Sequence, residues 1–116
     1  MPEATRAERL AVLKRSAEFA SKVGVPSITT HVGFIPENPG DPLYPGIVAA
    51  LQDVTRHCAA LGLGFWYETG QETPITLLRT IQGVGTPGQG VNLDPANLLM
   101  YGKANPVDAL DILGPY

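Results

Sequence analysis

The spacing of apolar residues along the chain predicts helices alternating with short strands. Ile47, Leu51, Val54, Cys58 and Leu61 recur at intervals of four, three, four and three, the buried face of an amphipathic helix, and Gly62 stands at the expected stop. Upstream, Val12, Leu13, Ala17, Phe19, Ala20 and Val23 fall along one broad face, with Lys14, Glu18 and Lys22 on the solvated edge. Thr5-Arg6-Ala7-Glu8 has the capping-box pattern that would start this helix, and Gly24 and Pro26 end it. Val25 to Phe34 carries the β-branched Ile28, Thr29, Thr30 and Val32 without a helical stripe, which predicts a strand. Phe65-Trp66-Tyr67 predicts a second strand, and Gly90 to Leu93 a third. Thr73-Pro74 opens a helix with an N-cap hydroxyl and a proline, its buried side supplied by Ile75, Leu78 and Ile81 and its end set by Gly83 to Gly88. Asp94-Pro95 repeats that device, and short helices follow over Ala96 to Met100 and Pro106 to Leu113.

The resulting order, αβαβαβαα, reads as βα units feeding a parallel sheet, so the fold class is α/β. Three such strands form only a piece of a doubly wound sheet or barrel, and both outer strands would be bare edges. The chain is therefore expected to be a segment of something longer or to complete itself by association. Its 116 residues suit a single domain, 1–116. Thirteen glycines and eleven prolines stand well above their ordinary joint share of about 12%. Pro36, Pro39, Pro42 and Pro45 make Phe34 to Pro45 a stiff loop of functional length, in which Glu37, Asn38, Asp41 and Tyr44 form no diagnostic pattern.

Charge and cysteine content narrow the classes. A net charge of -3 with no cluster of bases argues against a nucleic-acid partner. The longest apolar run is Ile47 to Leu51, and Met1-Pro2-Glu3-Ala4-Thr5 has no signal-peptide character, so a cytoplasmic protein without a membrane partner is expected. Cys58, the single cysteine, permits neither an internal disulfide nor a cysteine-based zinc site, and on the buried stripe it reads as structural. His57 flanks that stripe as a rim residue. Gly83-Val84-Gly85-Thr86-Pro87-Gly88 matches the GxGxxG fingerprint but lies between a helix and a strand, the reverse of the dinucleotide context, and reads as a connection.

In parallel α/β folds chemistry collects after the C-terminal ends of strands, and the three strands here end at His31, Glu68 and Asp94. Carboxylates at equal heights on neighbouring strands, about 4.8 Å apart, can share a divalent cation. Each residue also has an ordinary reading. Pattern alone favours Asp94 as the cap of the helix that Pro95 opens. Glu68 reads equally as an exposed turn carboxylate, and His31 as a strand-end residue bonded to a backbone carbonyl.

The runs Glu68-Thr69-Gly70-Gln71-Glu72-Thr73-Pro74, Gly90-Val91-Asn92-Leu93-Asp94-Pro95-Ala96-Asn97 and Tyr101-Gly102-Lys103, with His31-Val32-Gly33-Phe34-Ile35-Pro36, resemble the sugar phosphate isomerase/epimerase family with the xylose isomerase-like TIM barrel. The resemblance implies that the three strands correspond to the fourth, fifth and sixth of an eight-stranded barrel. It further implies a divalent metal (Mn2+, Mg2+, Co2+ or Zn2+) with Glu68 and Asp94 as two of its ligands, Glu68 as catalytic acid/base on an enediolate, and His31 near substrate. The family's remaining ligands, a histidine after strand seven and a glutamate at strand eight, have no counterpart in these 116 residues. The expectation is a segment that is not catalytically competent as a monomer, pairs as a homo-oligomer with a dimer favoured, and binds a small sugar or sugar phosphate. The alternative is a non-catalytic oligomerising or small-molecule-binding module built on the same barrel segment.

Overall fold

The computed structural model describes residues 3–116. The expectation of a start without signal character therefore rests partly on Met1 and Pro2, which lie outside the described residues. Helix α1 (Arg6–Val23) leads into strand β1 (Ser27–Thr30), followed by α2 (Tyr44–Ala60), β2 (Gly64–Glu68), α3 (Pro74–Val84), β3 (Gln89–Asn92), α4 (Pro95–Met100) and α5 (Pro106–Leu113). The strands form one parallel sheet in the order β1-β2-β3, with Thr29 opposite Trp66, Trp66 opposite Gly90, and Glu68 opposite Asn92. The βα alternation is thus as the sequence predicts. The sheet is open and does not close on itself, as expected of a segment of a parallel barrel.

The pleat divides the side chains of β2 between two faces. Phe65 and Tyr67 point into the core, where their rings meet edge to face at 5.2 Å. Ile47, Leu51, Val54 and Cys58 of α2, Leu77, Ile81 and Val84 of α3, and Leu113 of α5 close that core. The α2 stripe read from spacing is the buried face, although the helix starts earlier, at Tyr44, with Pro45 in its first turn. Trp66 and Glu68 take the opposite face, on the concave side that a complete barrel would enclose; there Trp66 is 42% exposed.

Four local expectations are corrected. Thr5 makes no side-chain cap; a short 3-10 turn over Glu3–Thr5 feeds α1 and replaces the capping box. On α1 only Ala17 and Ala20 are buried, while Val12, Phe19 and Val23 are exposed, because no element of the described chain packs on that side. On α3 the buried face is rotated: Ile75 is 58% exposed, whereas Thr76, Leu77, Thr80 and Ile81 are buried. The threonines are tolerated because they are hydrogen-bonded, Thr80 Oγ1 to the Thr76 carbonyl and Thr76 Oγ1 to Glu37. Strand β1 is also shorter than the stretch from Val25 to Phe34, and the chain turns away after Thr30 through Gly33 at φ 81°.

Gly90 shows how tightly the concave face is built. A Cβ there would lie 2.6 Å from Trp66 Cδ1 and 3.2 Å from the Tyr116 carbonyl oxygen, which also accepts from Val91 N–H on the outer edge of β3. Gly90→Ala is therefore expected to destabilise the fold by about 1–3 kcal/mol through overpacking. Urea unfolding followed by the fluorescence of Trp66, the single tryptophan, measures it; an unchanged midpoint would contradict this packing.

Candidate functional site

The parallel register that pairs Thr30 with Tyr67 brings the next residues, His31 and Glu68, side by side at the C-terminal end of the sheet. His31 Nε2 lies 3.4 Å from Glu68 Oε1. The approach depends on Gly70, where a Cβ would stand 3.2 Å from His31 Nδ1. Both residues line a cavity of about 200 Å³ together with Val32, Gly33, Gln71, Glu72 and Tyr101.

Asp94 lies on the neighbouring strand end but is committed differently. Its Oδ1 accepts from Asn97 N–H at 3.0 Å and caps α4. Its backbone is bound to the end of β2, with Asp94 N–H donating to Thr69 Oγ1 and that hydroxyl donating to the Asp94 carbonyl. Asn97 Nδ2 donates to the Thr69 carbonyl, completing a clasp that fixes the two strand ends relative to each other. The structure thus joins His31 with Glu68 and places Asp94 beyond the cavity lining. Carboxylate oxygens suit a hard cation. Among the described residues, however, no three His, Cys, Asp or Glu side chains converge on one point, so this donor set is incomplete for a closed metal site.

Two carboxylates that pattern reasoning did not single out shape the site. Glu72, only 4% exposed, lines the cavity. Burial pushes its carboxyl up, opposed by backbone hydrogen bonds at Glu72 and Gly70 and by His31, while the nearby charge of Glu37 adds to the rise. Glu37, in the proline-rich loop, reaches across to the start of α3. It accepts from Thr73 N–H, from Thr73 Oγ1 at 2.8 Å and from Thr76 Oγ1, with Lys103 Nζ 3.6 Å away. Burial alone would raise the Glu37 carboxyl, but the bonds from Thr76 and Thr73 and the Lys103 charge together hold it below its usual range. Arg79 pins the same loop by donating to the carbonyls of Pro36 and Glu37 while lying over the Tyr44 ring. The one available sequence signal was Glu72 inside the run Glu68 to Pro74; nothing local marked Glu37.

The two glutamates give opposite pH dependences. Glu72 binds its proton more tightly folded than unfolded, so its contribution to stability falls as pH rises from about 4.3 through its folded value. Glu37 binds its proton less tightly when folded, so its contribution is present above about 4.3 and lost as pH falls below that value. Glu72→Gln should therefore be more stable than wild type at pH 7, with the difference closing by pH 4. Urea unfolding at both pH values checks the sign, and a variant that is less stable at pH 7 would refute it.

The ordinary readings of other residues agree with the structure. Cys58 is fully buried, which pushes its thiol up, in keeping with a structural role. His57 is half-buried at the rim of α2, 3.5 Å from Glu18. The segment from Gly83 to Gly88 finishes α3 and turns into β3, with Gly85 and Gly88 at positive φ. No helix among the described residues is long and apolar enough to cross a membrane.

Comparison with known proteins places this geometry. A crystal structure of a xylose isomerase domain protein from Planctomyces limnophilus is 43% identical over 99% of this chain, with a TM-score of 0.94. A xylose isomerase-like TIM barrel protein from Mycobacterium smegmatis, solved in complex with magnesium, shares 18% identity over 99% of the chain at a TM-score of 0.81. A D-psicose 3-epimerase solved in the presence of D-fructose shares 19% over 98% at 0.76. The chain spans 41%, 44% and 44% of these three proteins respectively. Among curated proteins none matches. The family model described as xylose isomerase-like TIM barrel matches residues 1–116, and with that match and the 43% identical xylose isomerase domain protein the chain belongs to that family.

Proposed function

We propose that this chain is a sector of a metal-dependent sugar or sugar phosphate isomerase/epimerase barrel and that it is not catalytically competent as a monomer. The observation that carries the reading is the convergence of Glu68 and His31 at the C-terminal end of the sheet, beside the cavity, in a chain of this family. Glu68 would be both ligand and acid/base, its half-buried carboxylate exchanging a proton with a sugar carbon. His31 would hydrogen-bond a sugar hydroxyl and orient Glu68. Asp94 would contribute Oδ2, since Oδ1 caps α4. A divalent ion of the kind found with one relative, Mg2+ or else Mn2+, Co2+ or Zn2+, would supply Lewis-acid polarisation of sugar oxygens.

A homodimer is the associated form we propose for this chain, supported by apolar side chains exposed along its flanks. Exposed apolar residues flank the sector on both sides, Val12 and Phe19 on α1 and Val107 and Leu110 on α5, and Trp66 lies open between them. The second reading, a non-catalytic oligomerising or small-molecule-binding module, is favoured by the absence of a converged metal-donor trio among the described residues.

Calorimetric titration with Mn2+ across protein concentration separates the two. Saturable binding that tightens as the chain associates, and weakens by about 10-fold or more in Glu68→Ala and in Asp94→Ala, supports the first. Association without Mn2+ binding supports the second.

A further inference from the structure

The two flanks of the sheet carry apolar stripes edged with opposite charge. On α1 the charged residues turned toward α2 have partners there: Lys14 Nζ lies 2.8 Å from Asp53, and Glu18 3.5 Å from His57 Nε2. The outward residues have none. Val12 and Phe19, seven positions apart, form one exposed row, in which the Phe19 ring is 67% bare; Arg15 and Lys22, also seven apart, form the row beside it. Neither Arg15 nor Lys22 has an ion-pair partner among the described residues. Val12 also lines a groove of about 450 Å³ that runs to Thr30 at the end of β1, where Glu8 and Arg9 offset each other in charge. On α5 the arrangement repeats with the sign reversed. Val107, 71% exposed, and Leu110 form the apolar row, and Asp108 and Asp111 the charged row beside it. These two carboxylates are likewise unpaired, because Lys103, the nearest lysine in the chain, is taken up by Glu37.

We infer that α1 of one copy docks on α5 of a second copy and α5 of the first on α1 of the second, so that each basic-edged apolar stripe meets an acidic-edged one. This rests on the homodimer proposed above and assigns its contact surface. Burial of Val12 and Phe19 against Val107 and Leu110 supplies the attraction, and the charged rows decide which flank faces which. A two-fold axis along the strands exchanges the flanks, residue i meeting j and j meeting i, with the concave faces turned toward each other. A two-fold axis across the strands would instead set α1 against α1 and α5 against α5. Arg15 and Lys22 would then face their own copies, as would Asp108 and Asp111, and like charges in a contact oppose it. Trp66, open on the concave face, loses exposure to water in the arrangement along the strands.

The test is analytical ultracentrifugation of the full chain over a concentration series, with Trp66 emission recorded on the same samples. Wild type should dimerise, its emission moving to shorter wavelength as it does. Arg15→Glu with Lys22→Glu should weaken the dimer by about 10-fold or more, and so should Asp108→Lys with Asp111→Lys, since each change sets like charge against like in both contacts. An equimolar mixture of the two variants should recover wild-type affinity, because reversed α1 then meets reversed α5 and the unaltered flanks meet each other. All four positions are exposed, so folding should be unaffected. If a reversal does not fold, the milder Arg15→Gln and Asp111→Asn should each weaken the dimer in the same direction. A dimer that the Asp108 and Asp111 changes leave at wild-type affinity overturns the inference while the homodimer stands, and so does a mixture that fails to recover. A wild-type chain that stays monomeric at every concentration overturns both.

Discussion

Tyr67→Ala should unfold much of the population, with a loss of about 3–5 kcal/mol from a domain whose total stability is expected to be about 5–15 kcal/mol. Tyr67 is fully buried, packs edge to face on Phe65, and lies where the α2 and α3 stripes meet the sheet. Removing its ring leaves a cavity that the parallel ladder on either side of β2 cannot close, because both neighbouring strands are held in register with it. Its hydroxyl donates to Gln89 Oε1 at 2.6 Å, and Gln89 in turn donates to the carbonyls of Ile81 and Thr86, tying β3 to the end of α3. Tyr67→Phe should therefore lose only about 1 kcal/mol, leaving one acceptor short of a donor. The pair of variants, compared by urea unfolding, separates ring from hydroxyl, and equal losses would mean that the hydrogen-bonded tie, not the core, holds β2 in place.

What the sequence disclosed and what it hid follow from the range of the forces involved. Spacing alone located the α2 stripe, since Ile47, Leu51, Val54 and Cys58 face a sheet built by the same chain. The same reasoning on α1 chose Val12, Phe19 and Val23, which are apolar and yet bare. A hydrophobic pattern records that a face is suited to burial, and not where its partner comes from. On α3 the pattern failed for another cause: Thr76 and Thr80 count as polar in a sequence, but their hydroxyls are satisfied by Glu37 and by a carbonyl one turn earlier. Glu37 lies 36 residues from Thr73, and no local rule connects a proline-rich loop to the cap of that helix. His31 and Glu68 were legible as strand ends, because parallel register converts matching ends into neighbours. The cap on Asp94 was also legible, in the Asp-Pro pair.

If the proposed isomerase/epimerase reading holds, substitution of Glu68 by Gln should reduce any ketose turnover measured with Mn2+ by about 10²–10⁴-fold, the range for a positioned acid/base group. Gln keeps the size and one acceptor oxygen, so the cavity wall and the approach of His31, 3.4 Å from Glu68, are preserved while proton exchange is lost. The loss should appear in kcat at saturating metal and sugar, since weakened cation binding by itself would be recovered by added Mn2+. Gly70→Ala provides the companion measurement. It leaves Glu68 intact but presses a methyl group to 3.2 Å from His31 Nδ1, so its effect should fall on orientation and be smaller, about 10-fold. Turnover in Glu68→Gln within about threefold of wild type would remove the acid/base role from this carboxylate. Glu72, buried in the same cavity and inclined to keep its proton, would then be the carboxyl group left to carry it.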